Sequence, residues 1–177
     1  MYKIITNFLK RFFKTSTIYK YGFNWSPMYK RSTAKLIQVS DNLQYVKIRL
    51  KPSWKNRNYA GSIFGGSMLS ATDPIYMIQL IQILGDDFVV WDKAASIKYK
   101  RPAKETIYAE FIFLDEEIEA IKSEIKLKNE VNITKKLTLK NTDNIVFAEI
   151  EKTMYAATKS HYKQKLKQRK QKQNTAQ

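Results

Sequence analysis

The chain has 177 residues, a single histidine, no cysteine and a formal net charge of +16. That length suits one domain, and the missing cysteines exclude disulfides, Cys-ligated metals and thiol nucleophiles, with a reducing cytoplasm as the expected location. The charge admits nucleic acid, an anionic membrane surface or anionic small ligands as partners; a Lys-, Asn- and Ile-rich proteome with AT-rich coding would produce it equally well.

Residues 1–14 place Ile4, Ile5, Phe8, Leu9, Phe12 and Phe13 at helical spacing among Lys3, Lys10, Arg11 and Lys14. This predicts an amphipathic helix docked on the domain; peripheral contact with a membrane is the second use of the same pattern. The segment lacks an uninterrupted apolar run and a small-residue cleavage site, so it does not read as a cleaved signal. Residues 15–31, punctuated by Gly22 and Pro27, are expected to be irregular.

Strands are predicted at 35–39, 43–50, 88–100, 106–114, 131–140 and 145–155. In the second, Val46, Ile48 and Leu50 alternate with Lys47 and Arg49. In the fifth, Val131, Ile133, Leu137 and Leu139 face one way and Asn132, Thr134, Lys136 and Thr138 the other. One face buried and one wet is the signature of an antiparallel sheet. Residues 115–128 fit either a short helix between strands or part of a long hairpin. The Gln- and Lys-rich segment 159–177 is expected to be a disordered basic tail. The expected organisation is therefore an N-terminal helix and connector at 1–22, one domain at 23–158, and the tail.

The most informative stretch runs from Asn58 to Gly85. It holds one charged residue, Asp73, where the overall 27% charge content would give about seven. Met68, Leu69, Ala71, Ile75, Tyr76, Ile78, Leu80, Ile81 and Leu84 spread around the whole helical wheel. A helix apolar on all sides is enclosed by other elements, here a curved antiparallel sheet. Its apolar run, interrupted by Gln79 and Gln82, is about half the roughly 20 residues needed to span a bilayer. Three of the five glycines, Gly61, Gly65 and Gly66, directly precede it. Unpartnered N–H groups at a helix start, with the helix dipole behind them, can polarise a carbonyl. Equally, the glycines serve tight packing. Asp73 is costly on such a helix unless paired or solvated, and Pro74 is expected to kink the helix beside it.

The segment Gly61-Ser62-Ile63-Phe64-Gly65-Gly66, followed by Asp73, resembles the G-x-x-H-G-G…D signature of hotdog-fold thioesterases. Ile97-Lys98-Tyr99-Lys100-Arg101-Pro102-Ala103-Lys104 resembles the strand–Pro–strand hairpin of that fold. Over about residues 23–158 the chain is most similar to an uncharacterised branch of that superfamily, a domain of unknown function near the phenylacetyl-CoA thioesterases. The resemblance implies an α+β hotdog fold, in which a curved antiparallel sheet wraps one long central helix. It implies acyl-CoA or a similar thioester as substrate, without a cofactor. Gly65 would then supply the oxyanion N–H and Asp73 the general base or nucleophile. Asn58, Phe64 and Gly66 would line the substrate site. Phe64 stands where many relatives have His.

Gly65 and Asp73 are eight residues apart, about 12 Å along a helix. Both cannot readily reach one carbonyl from a single helix, whereas two antiparallel copies across a two-fold axis can. A homodimer is therefore expected, with a homotetramer as the larger alternative. Lys98 and Arg101, with Lys100 and Lys104, are candidates for the phosphates of CoA, or are simply a solvated strand face. No zinc, calcium, P-loop or dinucleotide pattern is present, and the lone His161 lies in the tail, away from any Ser-His-Asp set. No signature of specific nucleic-acid binding is present. A non-catalytic hotdog protein that binds an acyl or CoA-type ligand is the alternative function.

Overall fold

The computed structural model describes residues 6 and 8–174. In chain order the elements are α1 (Thr15–Trp25), α2 (Pro27–Lys30), β1 (Ala34–Val39), β2 (Tyr45–Leu50), α3 (Gly65–Thr72), α4 (Ile75–Leu84), β3 (Phe88–Tyr99), β4 (Ile107–Ile112), α5 (Asp115–Lys128), β5 (Glu130–Lys140), β6 (Val146–Thr158) and α6 (Lys159–Asn174). The six strands form one antiparallel sheet in the order β1-β2-β4-β5-β6-β3. It curves around the central helix formed by α3 and α4, which is the hotdog arrangement expected from the sequence.

Alternation in the strands decides which face meets that helix. Val46, Ile48 and Leu50 of β2 are buried, as are Val131, Ile133, Leu137 and Leu139 of β5. Phe111 and Phe113 pack edge-on against Tyr76 of α4, with ring centres 4.9 and 5.4 Å away. Two buried polar side chains tie the helix to its surroundings. Gln79 donates to the carbonyls of Leu43 (2.7 Å) and Phe111 (3.3 Å). Tyr29 of α2, fully buried, donates its hydroxyl to the carbonyl of Ala71 at 2.9 Å.

Two expectations change, and the alternative left open at 115–128 is settled. Residues 15–31 are helical, because Gly22 sits at an exposed position of α1 and Pro27 opens α2 at its first turn, where its missing N–H costs nothing. Residues 115–128 form a helix, whose first turn carries Asp115, Glu116 and Glu117 and whose last carries Lys126 and Lys128, matching the helix dipole. The segment expected to be a disordered tail is helical through Asn174. Lys, Gln, Arg and Leu are strong helix formers, and Glu130 anchors the start of α6 by accepting from Lys165 and Tyr155, each at 2.5 Å. Of residues 1–14, Ile4 and Ile5 lie outside the described residues. Phe8, Phe12 and Phe13 are exposed, and Lys10 reaches Gln82 at 3.2 Å.

Glu130 is held down at about 2 by its bonds from Lys165 and Tyr155, against an ordinary 4.5. A depressed carboxylate contributes stability above its unfolded value, and that stability is lost as pH falls through the folded one. The first turns of α6 should therefore loosen between about pH 4.5 and 2, and Glu130→Gln should loosen them at neutral pH. Amide exchange across 159–166 is the measurement, with little change expected in the sheet.

Candidate functional site

The loop before the central helix is held by asparagines. Asn56, buried, accepts from the Ser53 N–H (2.8 Å) and donates to Thr33 (2.6 Å) and the Lys51 carbonyl (3.0 Å). Its own carbonyl accepts the Phe64 N–H at 2.7 Å. Asn58 closes a turn on Ser62 through side-chain and main-chain bonds of 2.8–3.2 Å. Its amide is thus engaged in building the loop. Gly61, with φ of +75°, makes the reversal within that turn.

This loop delivers Gly65 and Gly66 as the first two residues of α3. Among the described residues neither N–H has an acceptor, as the geometry of a helix start requires. Both glycines are closely overlaid. A Cβ on Gly65 would collide with the Tyr99 side chain at its hydroxyl, and one on Gly66 with the Phe64 ring. Phe64 and Tyr99 are themselves more than half exposed. The structure thus groups Phe64, Gly65 and Gly66 with Tyr99, a residue that the sequence reading placed only in a strand.

The other half of the site lies one helical segment away. The central helix breaks at Asp73–Pro74, between α3 and α4. Asp73 carries a solvent-facing carboxylate, 55% exposed, bonded at 2.8 Å to the ammonium of Lys152, whose side chain is 1% exposed. The same ammonium donates to the Asp73 main-chain carbonyl and ion-pairs with Asp92 at 3.0 Å. Lys152 was not foreseen, although its position was readable. Ala148, Ile150, Met154 and Ala156 alternate inward along β6, and Lys152 occupies the inward slot between them.

Asp92 reaches the cluster from the inward side of β3, two residues after Val90, and a β-bulge follows it. The β3–β6 register shifts between Asp92 and Ala94, so Asp92 faces Met154 while Ala95 faces Lys152. An extra residue in one strand changes which face the following side chains take, and here both Asp92 and Ala95 come to the inner side. Burial raises the Asp92 carboxyl above its usual range, against the pull of Lys152, and nearby Asp73 raises it further. One oxygen of Asp92 is buried without a hydrogen-bond partner.

Lys98 and Arg101 are not brought to this site by the same face. Lys98 lies with Ser96, Lys136, Glu149 and Glu151 in a shallow outer groove of about 540 Å³. The neighbouring lysines there already meet carboxylates, Lys100 with Glu149 at 2.9 Å and Lys136 with Glu151 at 3.4 Å. Arg101 is exposed just beyond Tyr99. Among the described residues no cluster of His, Cys, Asp and Glu is arranged to hold a metal.

If Lys152 is replaced by Met, a partly buried Asp92 loses its cation. The expected cost is about 3 kcal/mol at neutral pH, the low end for breaking a buried pair because Asp73 faces solvent. Asp92 should then titrate still higher than in the parent. A raised carboxylate contributes stability fully present below its unfolded value, 3.8, and lost as pH rises through the folded one. The penalty should accordingly shrink as pH approaches about 4. Urea denaturation of both proteins at several pH values measures this.

The model of a family described as a domain of unknown function, DUF4442, matches residues 18–156. No curated protein matches the chain in sequence. Among solved structures, it resembles a Pseudomonas aeruginosa protein of unknown function described as a probable thioesterase, with TM-score 0.71, 19% identity, and coverage of 80% of this chain and 95% of that one. A protein of unknown function from Chlorobaculum tepidum aligns with TM-score 0.62 and 15% identity over 87% of this chain and 94% of its own. A thioesterase from Haemophilus influenzae aligns with TM-score 0.59 and 10% identity over 79% and 88%.

Proposed function

We propose that this chain, which belongs to the DUF4442 family, hydrolyses an acyl or aromatic-acyl thioester of the acyl-CoA class at a site shared by two copies. The observation that carries the proposal is the pair of acceptor-free N–H groups at Gly65 and Gly66, on the same central helix as the solvent-facing carboxylate of Asp73. The shared fold with proteins described as thioesterases supports it.

In this reading the glycine N–H groups donate to the thioester oxygen, and to the oxyanion as it forms. Asp73 takes the proton of a water whose oxygen attacks the carbonyl carbon; the C–S bond then breaks and the thiolate leaves. Direct attack by the carboxylate is the other route. Lys152 holds that carboxylate in place through two bonds to the same residue. Since Gly65 and Asp73 are separated by about 12 Å of helix, the donor of one copy would work with the carboxylate of its partner. Three features favour such pairing. β3 is an edge strand, its inner-side residues Ala95 and Tyr99 are uncovered, and the central helix leaves Ser70 and Asp73 exposed.

Asp73→Asn should lower turnover of acyl-CoA substrates by about 100-fold or more. Stability should fall by no more than about 1 kcal/mol, because Asp92 and the residue-73 carbonyl still hold Lys152. An acyl-CoA panel and thermal melts on the same preparations measure both. Activity that survives, or falls only in step with folding, would sink the assignment. Sedimentation should show a dimer, and a stable monomer at micromolar concentration would remove the shared site. One observation favours binding without catalysis: the Phe64 ring, not an imidazole, overlies Gly66. Native mass spectrometry showing a retained acyl ligand, with no turnover across the panel, would establish that second reading.

A further inference from the structure

The first acidic residue of the chain is Asp41. Residues 1–40 contain eight Lys and Arg and no Asp or Glu, half of the net excess of +16. In the described part of this segment, large apolar side chains point outward. Phe8, Phe12, Phe13, Tyr21, Trp25 and Met28 are each about half to two-thirds exposed, with Trp25 at 70%. Phe8 packs against Phe12 and Tyr21 against Trp25, with ring centres 5.5 and 5.6 Å apart. Arg11, Lys14, Lys30 and Arg31 are exposed among them. No ion pair among the described residues includes any of these four. Asp41 lies near Lys14, but it is engaged by Ser16.

Exposed apolar bulk of this size on a folded surface marks an interaction site. We propose that residues 8–31 form a docking surface for an anionic lipid bilayer, with the aromatic residues and Met28 entering the headgroup region and the cations meeting lipid phosphates. Charge complementarity selects this occupant. A second copy would bring like charge against like charge. A nucleic acid strand would want open aromatic faces for stacking, whereas here four of the five rings pair with each other and Met28 offers none. The surface also stays available in the dimer proposed above, since α1 packs on β1, the edge of the sheet opposite β3. Attachment is peripheral: among the described residues no helix is long and apolar enough to cross a membrane. The basic helix α6 is a poorer inserting element, because its cations are not accompanied by an apolar face; Leu166 stands among Lys163, Lys165, Lys167, Arg169 and Lys170.

The test uses the full chain and vesicles of phosphatidylcholine, with and without about 30 mol% phosphatidylglycerol, a negative surface of the kind that attracts basic segments. Flotation should show at least about tenfold stronger partition onto the anionic vesicles, weakening with salt. In a Trp54→Phe/Trp91→Phe background the emission of Trp25 should shift to the blue on binding; should that background be unstable, Trp25→Phe in the parent should abolish the same shift. Phe12→Ser/Phe13→Ser should lower partition about tenfold or more, and Arg11→Gln/Lys14→Gln/Lys30→Gln about a hundredfold, all with unchanged melting. The control Lys167→Gln/Arg169→Gln/Lys170→Gln in α6 should leave the Trp25 shift intact. Equal partition onto both vesicle types, or no partition onto either, would overturn the proposal. So would binding that depends on the α6 cations with Trp25 unshifted, or binding to a polyuridine strand without binding to vesicles.

Discussion

A helix that is apolar around its whole circumference must be covered on every side, and the rest of this structure follows from that requirement. The sheet covers one side with the inward residues of β2, β4, β5 and β6. Phe23 and Tyr29 from the two N-terminal helices join the same core. The polar atoms that this burial strands are handled locally. Gln79 donates to two backbone carbonyls of the surrounding elements, and Tyr29 returns a hydroxyl to the helix backbone. One side of the helix, around Ser70 and Asp73, remains open in the single chain. In the proposed function a second copy covers that opening, so assembly and chemistry are joined there.

A helix break and a sheet strand converge on one ammonium group. Pro74 breaks the central helix, and the residue-73 carbonyl and carboxylate both turn to Lys152. Asp92, inward on β3 just before its bulge, meets the same group. A lysine at 1% exposure would be prohibitively desolvated without such acceptors. The arrangement still leaves strain on the anionic side, since one cation serves two carboxylates. Asp92, the more buried of the two, bears it as a raised pKa and an unpartnered oxygen. Asp73 keeps the solvent-facing position, the one from which a carboxylate can meet a substrate.

The sequence's excess positive charge is distributed among different settings. On the outer sheet face, Lys47, Lys100 and Lys136 meet glutamates across the strands. In α6, Lys165 anchors the helix to Glu130. In the first forty residues no acid is present at all, and Arg11, Lys14, Lys30 and Arg31 are exposed in a segment that also exposes aromatics. Composition alone cannot separate these uses, because each depends on what lies across space from a given lysine.

Several features were legible from the sequence because they arise from short-range periodicity. Alternation in β2 and β5 fixed their buried faces, the charge-free stretch from Asn58 to Gly85 marked the enclosed helix, and Pro74 placed its break. The glycine pair was visible as the start of that helix. The helices α1 and α6 were misjudged where local signals were read too literally: a glycine and a proline in one case, a lack of apolar residues in the other. Helix propensity and a few anchoring contacts outweighed them. What only the tertiary structure decided was the company each site residue keeps. Lys152 is 79 positions from Asp73, and Tyr99 is far from Gly65 along the chain. Asp92 shares the inward side with Val90, opposite Met154, and the bulge that follows it brings Ala95 rather than Ala94 opposite Lys152. Sequence periodicity determines which residues point inward, but the register between distant strands and the helix they enclose determines which of them meet.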